Sequence, residues 1–238
     1  MPESLLQISG LDAYYGKSHV LQDVKLAVNP GELVLVMGRN GMGKTTLLRS
    51  ILAFPPVKRR GSIVFEGRET SRMTTHRVAA LGLGYVPQGR LLFPSLTVEE
   101  HLRFAASRNR GQSRVWTLKS VYELFPELEQ RSKVGGGRLS GGEQQMLAVA
   151  RALVTNPTLL LMDEPSEGLS VLVIQRVKDV CRHLTSSGMA VLLVEQNLDM
   201  AQNLADRAYV FLNGQVAYEE SGEDFRADRK RVGAYLGV

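Results

Sequence analysis

Short apolar runs bounded by turn-forming residues dominate the first third of the chain. Such runs predict β-strands, and they cover Leu5–Leu11, Val24–Val28, Leu33–Met37, Ser62–Phe65 and Leu83–Val86. One stretch among them has helical periodicity instead, from Lys44 to about Ala53. Because proline cannot continue a helix, Pro55-Pro56 is predicted to stop this one.

The middle of the chain, from about Gly89 to Ala152, has helical periodicity and lacks strand signals. Thr97 precedes one predicted helix, and Glu100 stands three residues later, which is the pattern of a capping box. We therefore expect a block of helices inserted between two strand-rich segments.

Strands and helices alternate again after Pro157. The predicted strands are Thr158–Met162, Ala190–Val194 and Ala208–Leu212, and the predicted helices are Val171–Thr185 and Leu198–Leu204. This alternation predicts an α/β fold with a mostly parallel sheet that helices cover on both faces. The chain is predicted to form one domain, with a core of residues 1–88 and 153–238 and a helical subdomain of residues 89–152.

Composition narrows the class of protein. The chain has 238 residues, of which 44% are hydrophobic and 22% charged, as is usual for soluble globular domains. No apolar run approaches the 20 or so residues of a spanning helix, and the N-terminus lacks the pattern of a signal peptide. The single cysteine, Cys181, excludes an intrachain disulfide and lies in a helical pattern, where we expect it to be packed. The net charge of +5 is compatible with a solvated basic face or with an anionic surface.

The segment that follows the predicted strand Leu33–Met37 matches the P-loop pattern G-x-x-x-x-G-K-[ST] at every fixed position. Lys44 is expected to reach the β- and γ-phosphates of a nucleotide, and the Thr45 hydroxyl is expected to coordinate Mg²⁺. The predicted ATP-binding residues are Gly38, Arg39, Asn40, Gly41, Met42, Gly43, Lys44, Thr45 and Thr46. A Gly-rich turn before an ordinary helix is the alternative.

Two carboxylates, Asp163 and Glu164, end the apolar run Leu159–Met162. Ligands of open α/β sheets bind at the carboxyl ends of the strands. Asp163 is therefore expected to hold Mg²⁺, and Glu164 to polarise the water that attacks the γ-phosphate. Alone, such an acidic pair also fits the start of an ordinary loop.

A second predicted anion-binding helix start is Ser140-Gly141-Gly142-Glu143, which opens a helix that runs to about Val154. Since the P-loop already accounts for one phosphate site, this motif suggests a second nucleotide-facing surface. An N-capped helix after flexible glycines is the alternative.

The P-loop, the Leu139–Gln145 signature and the Leu161–Pro165 run resemble, in this order and spacing, the nucleotide-binding subunits of ABC transporters. The resemblance covers essentially the whole chain and implies a RecA-like P-loop NTPase core with N-terminal antiparallel strands. It implies that two cassettes pair head to tail, with ATP held between one P-loop and the other's Ser140, Gly141, Gly142 and Glu143. It also implies that Tyr15 stacks on adenine and that Gln88 contacts Mg²⁺ or water and links to membrane subunits.

Two positions depart from the family pattern. Leu169 stands where most members have aspartate, and Gln196 stands where most have a histidine that contacts the γ-phosphate. Glutamine can donate a hydrogen bond to a phosphate but does not carry a proton as histidine does. The resemblance therefore leaves the hydrolytic rate of this site open.

Within the family, Tyr85–Arg90, the segment Leu192–Asn197 and the ending Ala234–Gly237 resemble ATPases of branched-chain amino acid importers. Urea and short-amide importers share much of this pattern, and Gln88 slightly favours them. The implied partners are two membrane permease subunits, a second and different ABC ATPase subunit, and a periplasmic or extracellular solute-binding protein, with no nucleic acid. The implied location is the cytoplasmic face of the inner membrane. A non-transport ABC ATPase, and a P-loop kinase or GTPase, are the other classes considered.

Overall fold

The computed structural model describes residues 4–107, 115–201, 203–227 and Gly233. It contains two sheets with helices packed against them. The strands are β1 (Leu6–Tyr15), β2 (Ser18–Val28), β3 (Leu33–Met37), β4 (Lys58–Phe65), β5 (Arg68–Glu69), β6 (Leu83–Val86), β7 (Leu159–Asp163), β8 (Ala190–Glu195), β9 (Arg207–Leu212) and β10 (Gln215–Ser221). The helices are α1 (Lys44–Ile51), α2 (Thr75–Ala79), α3 (Val98–Ala106), α4 (Leu118–Leu124), α5 (Pro126–Gln130), α6 (Gly141–Leu153), α7 (Val171–Ser186), α8 (Leu198–Ala201) and α9 (Gly222–Ala227).

The larger sheet has six strands in the order β10-β9-β3-β8-β7-β6. All neighbours pair in parallel except β9 and β10, which are antiparallel. The smaller sheet is antiparallel, in the order β2-β1-β4-β5. The predicted α/β class with a mostly parallel core and N-terminal antiparallel strands is confirmed.

Two hydrophobic cores lie on opposite faces of the six-stranded sheet. In β3, Leu33, Leu35 and Met37 belong to one core, and Val34 and Val36 to the other. The first core includes apolar residues of α3, α6 and α7, and the second includes residues of α1 and of the smaller sheet. Because successive strand residues point to opposite faces, burial on both sides explains why the central strands read as continuous apolar runs.

Helices α3 to α6 all fall within residues 89–152 or end at the next residue. The predicted capping box of α3 is present, since Glu100 N donates to Thr97 Oγ1 at 3.2 Å and Thr97 N donates to Glu100 Oε2 at 2.7 Å. Helix α6 packs against α3, α5 and β6. The division into core and subdomain remains a prediction.

Several boundaries differ from the sequence expectations. Strand β1 extends to Tyr15 because it forms a tight hairpin with β2. Strand β10 was not predicted, since both of its faces are partly exposed and it lacks an apolar stripe. Helix α8 covers only the first four residues of the expected helix Leu198–Leu204, since Asn203 has a left-handed φ of +58° and forms a turn with Leu204. Residue 202 and the motif 234–237 lie outside the described residues.

Two expectations from composition can be compared with the structure. Within the described ranges, no helix is both long and apolar enough to span a bilayer. Cys181 is fully buried on α7, and burial raises the pKa of its thiol to about 12. The prediction of a packed cysteine is therefore confirmed.

Candidate active site

The P-loop joins the end of β3 to the start of α1 and lies against β9. A Cβ atom at Gly38 would come within 2.9 Å of the Phe211 carbonyl oxygen, so this approach requires glycine. Gly43 is the residue before the first turn of α1 and has a φ of +97°, a conformation that residues other than glycine strongly disfavour. The loop is thus held open by its glycines, and the first-turn amides of α1 lack intrahelical acceptors and can receive an anion.

Lys44 is the best-anchored cation of this loop. Its side chain is 3% exposed, and its Nζ donates to the carbonyls of Gly38 at 2.7 Å and Arg39 at 3.2 Å. The same Nζ lies 2.9 Å from Oε1 of Glu164, which is 6% exposed. The lysine of the P-loop and the carboxylate that ends β7 therefore form a buried ion pair.

Asp163 occupies the last position of β7 and faces the P-loop. The Thr45 hydroxyl donates to its Oδ1 at 3.1 Å, and the Tyr85 hydroxyl donates to its Oδ2 at 3.3 Å. Burial raises the pKa of the Asp163 carboxyl, and the Thr45 hydrogen bond opposes that shift. Burial also raises the pKa of the Tyr85 hydroxyl, so Tyr85 remains a donor.

The Thr45 hydroxyl and the Asp163 carboxylate form a pair of oxygen ligands that fits Mg²⁺. No cluster of three or more His, Cys, Asp or Glu side chains is placed to hold a metal anywhere in the described part of the chain. Mg²⁺ typically takes only one or two carboxylates from the protein and completes its shell with water and substrate phosphates. One hydroxyl and one buried carboxylate beside a phosphate-binding loop therefore suit it.

Glu164 is held in an unusual backbone conformation. Its φ is +45°, in the left-handed region that costs an ordinary residue about 1–2 kcal/mol. Its N–H donates to the Val194 carbonyl at 2.9 Å, and its carbonyl accepts from Glu167 N at 3.2 Å. Its Oε2 is buried and makes no hydrogen bond with the residues described here. That oxygen can accept a hydrogen bond from a water molecule while Oε1 stays paired with Lys44.

The two glutamines assigned by resemblance lie at neighbouring strand ends. Gln88 follows β6, is exposed, and donates from Nε2 to Glu167 Oε2 at 3.1 Å. Gln196 follows β8 and is also exposed. Since β8, β7 and β6 are adjacent parallel strands, both residues share the sheet edge with Asp163 and Glu164. Their roles toward Mg²⁺ and phosphate remain expectations.

Tyr15 lies at the end of β1, two positions after the buried Ala13. Arg49 of α1 donates to its hydroxyl at 3.3 Å, which places the ring beside the P-loop helix. Tyr14 instead stacks on His19 with ring centroids 4.3 Å apart. This arrangement favours Tyr15 over Tyr14 as the residue available to a base bound next to α1.

The signature segment begins helix α6. Glu143 N donates to Ser140 Oγ at 3.3 Å, and Ser140 N donates to Glu143 Oε2 at 2.8 Å, so this end has a complete capping box. Glu143 also pairs with Arg131 at 3.2 Å. Whereas α6 packs on α3, α5 and β6, helix α1 packs on β1, β2, β4 and β7. The two glycine-rich helix starts are thus carried by different structural elements.

Sequence reasoning missed Glu195, the last residue of β8. It is 1% exposed, and its Oε1 and Oε2 accept from Ser166 N at 3.0 Å and Asn197 N at 3.3 Å. Burial raises the pKa of its carboxyl to about 7, although hydrogen bonds from the Ser166 side chain and from the backbone N–H groups of Ser166 and Asn197 oppose that shift. A carboxylate that ends the all-apolar run Val191–Val194 is a visible sequence signal of the same kind as Asp163.

A family model described as ABC transporter matches residues 21–167, which is more than half of the chain. The chain belongs to the ABC transporter family. As members do, it binds and hydrolyses ATP. The P-loop, the buried Lys44–Glu164 pair and Asp163 all lie within the matched residues.

Curated relatives cover nearly the full length of the chain. It is 40% identical over 98% of its residues to the high-affinity branched-chain amino acid transport ATP-binding protein BraG of Pseudomonas aeruginosa, all of which is covered. It is 34% identical over 98% of its residues to a probable branched-chain amino acid transport ATP-binding protein, LivF, of Archaeoglobus fulgidus, of which 99% is covered. It is 32% identical over 94% of its residues to the lipopolysaccharide export ATP-binding protein LptB of Escherichia coli, of which 93% is covered.

Solved structures have the same fold. An ATP-binding subunit of an ABC transporter aligns with a TM-score of 0.83 at 29% identity, covering 98% of this chain and 97% of that chain. The expected P-loop ATPase fold is therefore confirmed by structural comparison as well.

Proposed function

We propose that this protein is the ATP-hydrolysing subunit of an importer of branched-chain or related amino acids, acting on separate membrane permeases. The 40% identity to BraG, with both chains covered almost completely, carries this proposal. Export is the alternative function, because the lipopolysaccharide export protein LptB is also a relative, but its identity to this chain is lower, at 32%. The location that follows is the cytoplasmic face of the inner membrane.

The site supplies a role for each predicted residue. Lys44 neutralises the β- and γ-phosphates, and the P-loop amides from Gly38 to Thr46 cradle them. Thr45 and Asp163, with Gln88, would hold Mg²⁺, which would neutralise charge that develops on the phosphates. Glu164 accepts a hydrogen bond from the attacking water through Oε2 and polarises it.

The signature residues serve a second cassette. Ser140 and its helix start lie on different elements from the P-loop, so they complete the nucleotide site of an opposing chain. We propose that the opposing chain is a different protein and that the two ATP sites are unequal, because Gln196 replaces a histidine beside an intact Glu164. Gln196→His should then change total turnover less than replacing the partner's catalytic glutamate does. Purification of a complex with two copies of this chain and no second cassette would contradict the proposal.

Uptake experiments test the solute. A strain that lacks this chain should lose uptake of labelled leucine, isoleucine and valine, and the wild-type chain should restore it. Glu164→Gln should restore it only in part, because the partner's site is proposed to set most of the turnover, whereas the matched surface change Glu123→Gln should restore it fully. Loss of urea or acetamide uptake with normal leucine uptake would transfer the proposal to the urea and short-amide importers. Normal uptake of all these solutes would refute the import role.

A further inference from the structure

One buried carboxylate near the site has no role in the mechanism described above. Glu195 is almost fully buried at the end of β8, and its side chain contacts two different loops. One is the loop that follows Glu164, through Ser166 N, and the other is the loop that carries Gln196, through Asn197 N. We infer that Glu195 is a positioning residue for ATP hydrolysis, which holds Glu164 in its working conformation by tying these two loops together.

The first step of the argument is the conformation of Glu164. A left-handed φ at a residue other than glycine persists only when its surroundings determine it. Two main-chain hydrogen bonds hold it directly, to Val194 and from Glu167. Glu195 adds a third restraint at Ser166, two residues after Glu164, and this restraint comes from the strand that also receives the Glu164 N–H. Removing it frees the turn that aims the Glu164 carboxylate.

The second step is why a carboxylate is needed. An ionised carboxylate offers only acceptors, one oxygen to each of the two N–H groups. Glutamine has the same shape but one acceptor, so its amide N–H₂ would face a backbone N–H. Aspartate keeps both acceptors but is one methylene shorter, so it should hold the two loops less tightly. A protonated Glu195 resembles glutamine, since one of its oxygens then carries a hydrogen.

The third step concerns the groups that face Glu195. From the end of β7 the charged neighbour is Glu164, which is itself paired with Lys44 of α1. From α7 the titratable neighbour is the thiol of Cys181, which is neutral. Its register partner on β3 is the apolar Met37. In these surroundings burial raises the pKa of Glu195 to about 7. The two-loop restraint is therefore complete only above neutral pH.

The inference rests on the proposed role of Glu164, and the experiment separates the two. Steady-state ATP hydrolysis is measured from pH 6 to pH 8.5 at saturating Mg-ATP in the purified transporter that contains this chain. If the second cassette is a different protein, its catalytic glutamate is replaced in all samples. The variants are Glu195→Gln, Glu195→Asp, Glu164→Gln and the control Glu123→Gln, whose carboxylate is 65% exposed. Binding of a fluorescent ATP analogue to each full-length chain verifies that it is folded.

Glu195→Gln should lower kcat about tenfold at pH 8 but only about twofold at pH 6, with the KM for ATP unchanged. The ratio of wild type to variant cancels the titration of nucleotide and Mg²⁺, which both enzymes share. Glu195→Asp should lose less activity and keep the rise of kcat with pH, and Glu123→Gln should behave as wild type. A ratio that is constant with pH, or a change in KM alone, would overturn the inference. If Glu164→Gln remained active, the role of Glu164 itself would fail.

Discussion

The buried ion pair between Lys44 and Glu164 makes a prediction about folding that is separate from nucleotide binding. Replacing Lys44 by methionine keeps most of the volume of its stem but removes the charge 2.9 Å from Glu164 Oε1. The carboxylate is then buried beside an apolar side chain, and its other oxygen already lacks a hydrogen-bond partner within the described structure. Breaking one half of a buried pair typically costs about 3–5 kcal/mol.

The size of the cost can be worked out from the geometry of the pair. Two unit charges separated by 2.9 Å attract each other by about 6 kcal/mol at an effective dielectric constant of about 20. Methionine recovers part of this free energy, because an ammonium group no longer has to be buried. The free energy of unfolding of Lys44→Met should therefore be about 4 kcal/mol lower than that of the wild type at pH 7.

Urea denaturation followed by circular dichroism, without nucleotide, measures this deficit at pH 7. The double variant Lys44→Met/Glu164→Gln has no buried charge at either position and should recover most of the stability at pH 7. The matched single variant Arg131→Met removes an exposed partner of Glu143 and should cost less than about 1 kcal/mol. A Lys44→Met deficit that is below 1 kcal/mol, or that the double variant does not reduce, would refute the assignment of a buried charge pair. If the deficit is found, nucleotide-binding data on Lys44 variants must be corrected for the unfolded fraction.

Three further predictions concern other buried or interfacial groups. With the partner site disabled, Glu164→Gln in the assembled transporter should bind ATP and lose about 10²–10⁴-fold in hydrolysis rate, and near-normal turnover in that background would refute its role. Ser140→Arg should leave ATP binding by the isolated chain intact, as calorimetry can measure, and suppress transport; loss of binding by the monomer would contradict the two-faced arrangement. Burial raises the pKa of Glu195 to about 7 in the folded state, above its value in the unfolded chain. Protonation of Glu195 therefore stabilises the folded state fully below about pH 4.5, and this contribution of roughly 3 kcal/mol is lost as the pH rises to about 7. Urea denaturation should find that Glu195→Gln lacks this dependence, and parallel curves for both proteins would exclude it.

The central strands could be predicted because burial on both faces leaves a simple record in the sequence. Strand β3 has the predicted bounds, and β8 differs from its predicted bounds by one residue. The edge strand β10 was missed for the opposite reason, since an exposed strand needs no apolar pattern. Its turn was nevertheless visible, because Asn213-Gly214 is a favoured two-residue hairpin connection and both residues have positive φ.

The P-loop, Gln88, Asp163, Glu164 and Gln196 meet at one sheet edge because the parallel strands β3, β8, β7 and β6 end there. Motif spacing could predict which residues follow each strand, but it could not predict which side chains touch. Glu167 illustrates the limit, since its carboxylate accepts a hydrogen bond from Gln88, which follows a different strand and lies 79 residues away in sequence. Only the strand order β8-β7-β6 makes that contact possible.

The carboxyl edge of the sheet concentrates, within a few residues, several features that cost folding free energy. Asp163, Glu164 and Glu195 are all buried carboxylates, and burial raises the pKa of the first and the third. Glu164 also has a left-handed backbone. Each feature costs folding free energy, and the continuous apolar strands on either side supply the stability that offsets it. A carboxylate that ends an all-apolar strand is therefore a physical signal of function, and it identifies Glu195 by the same reasoning that identified Asp163.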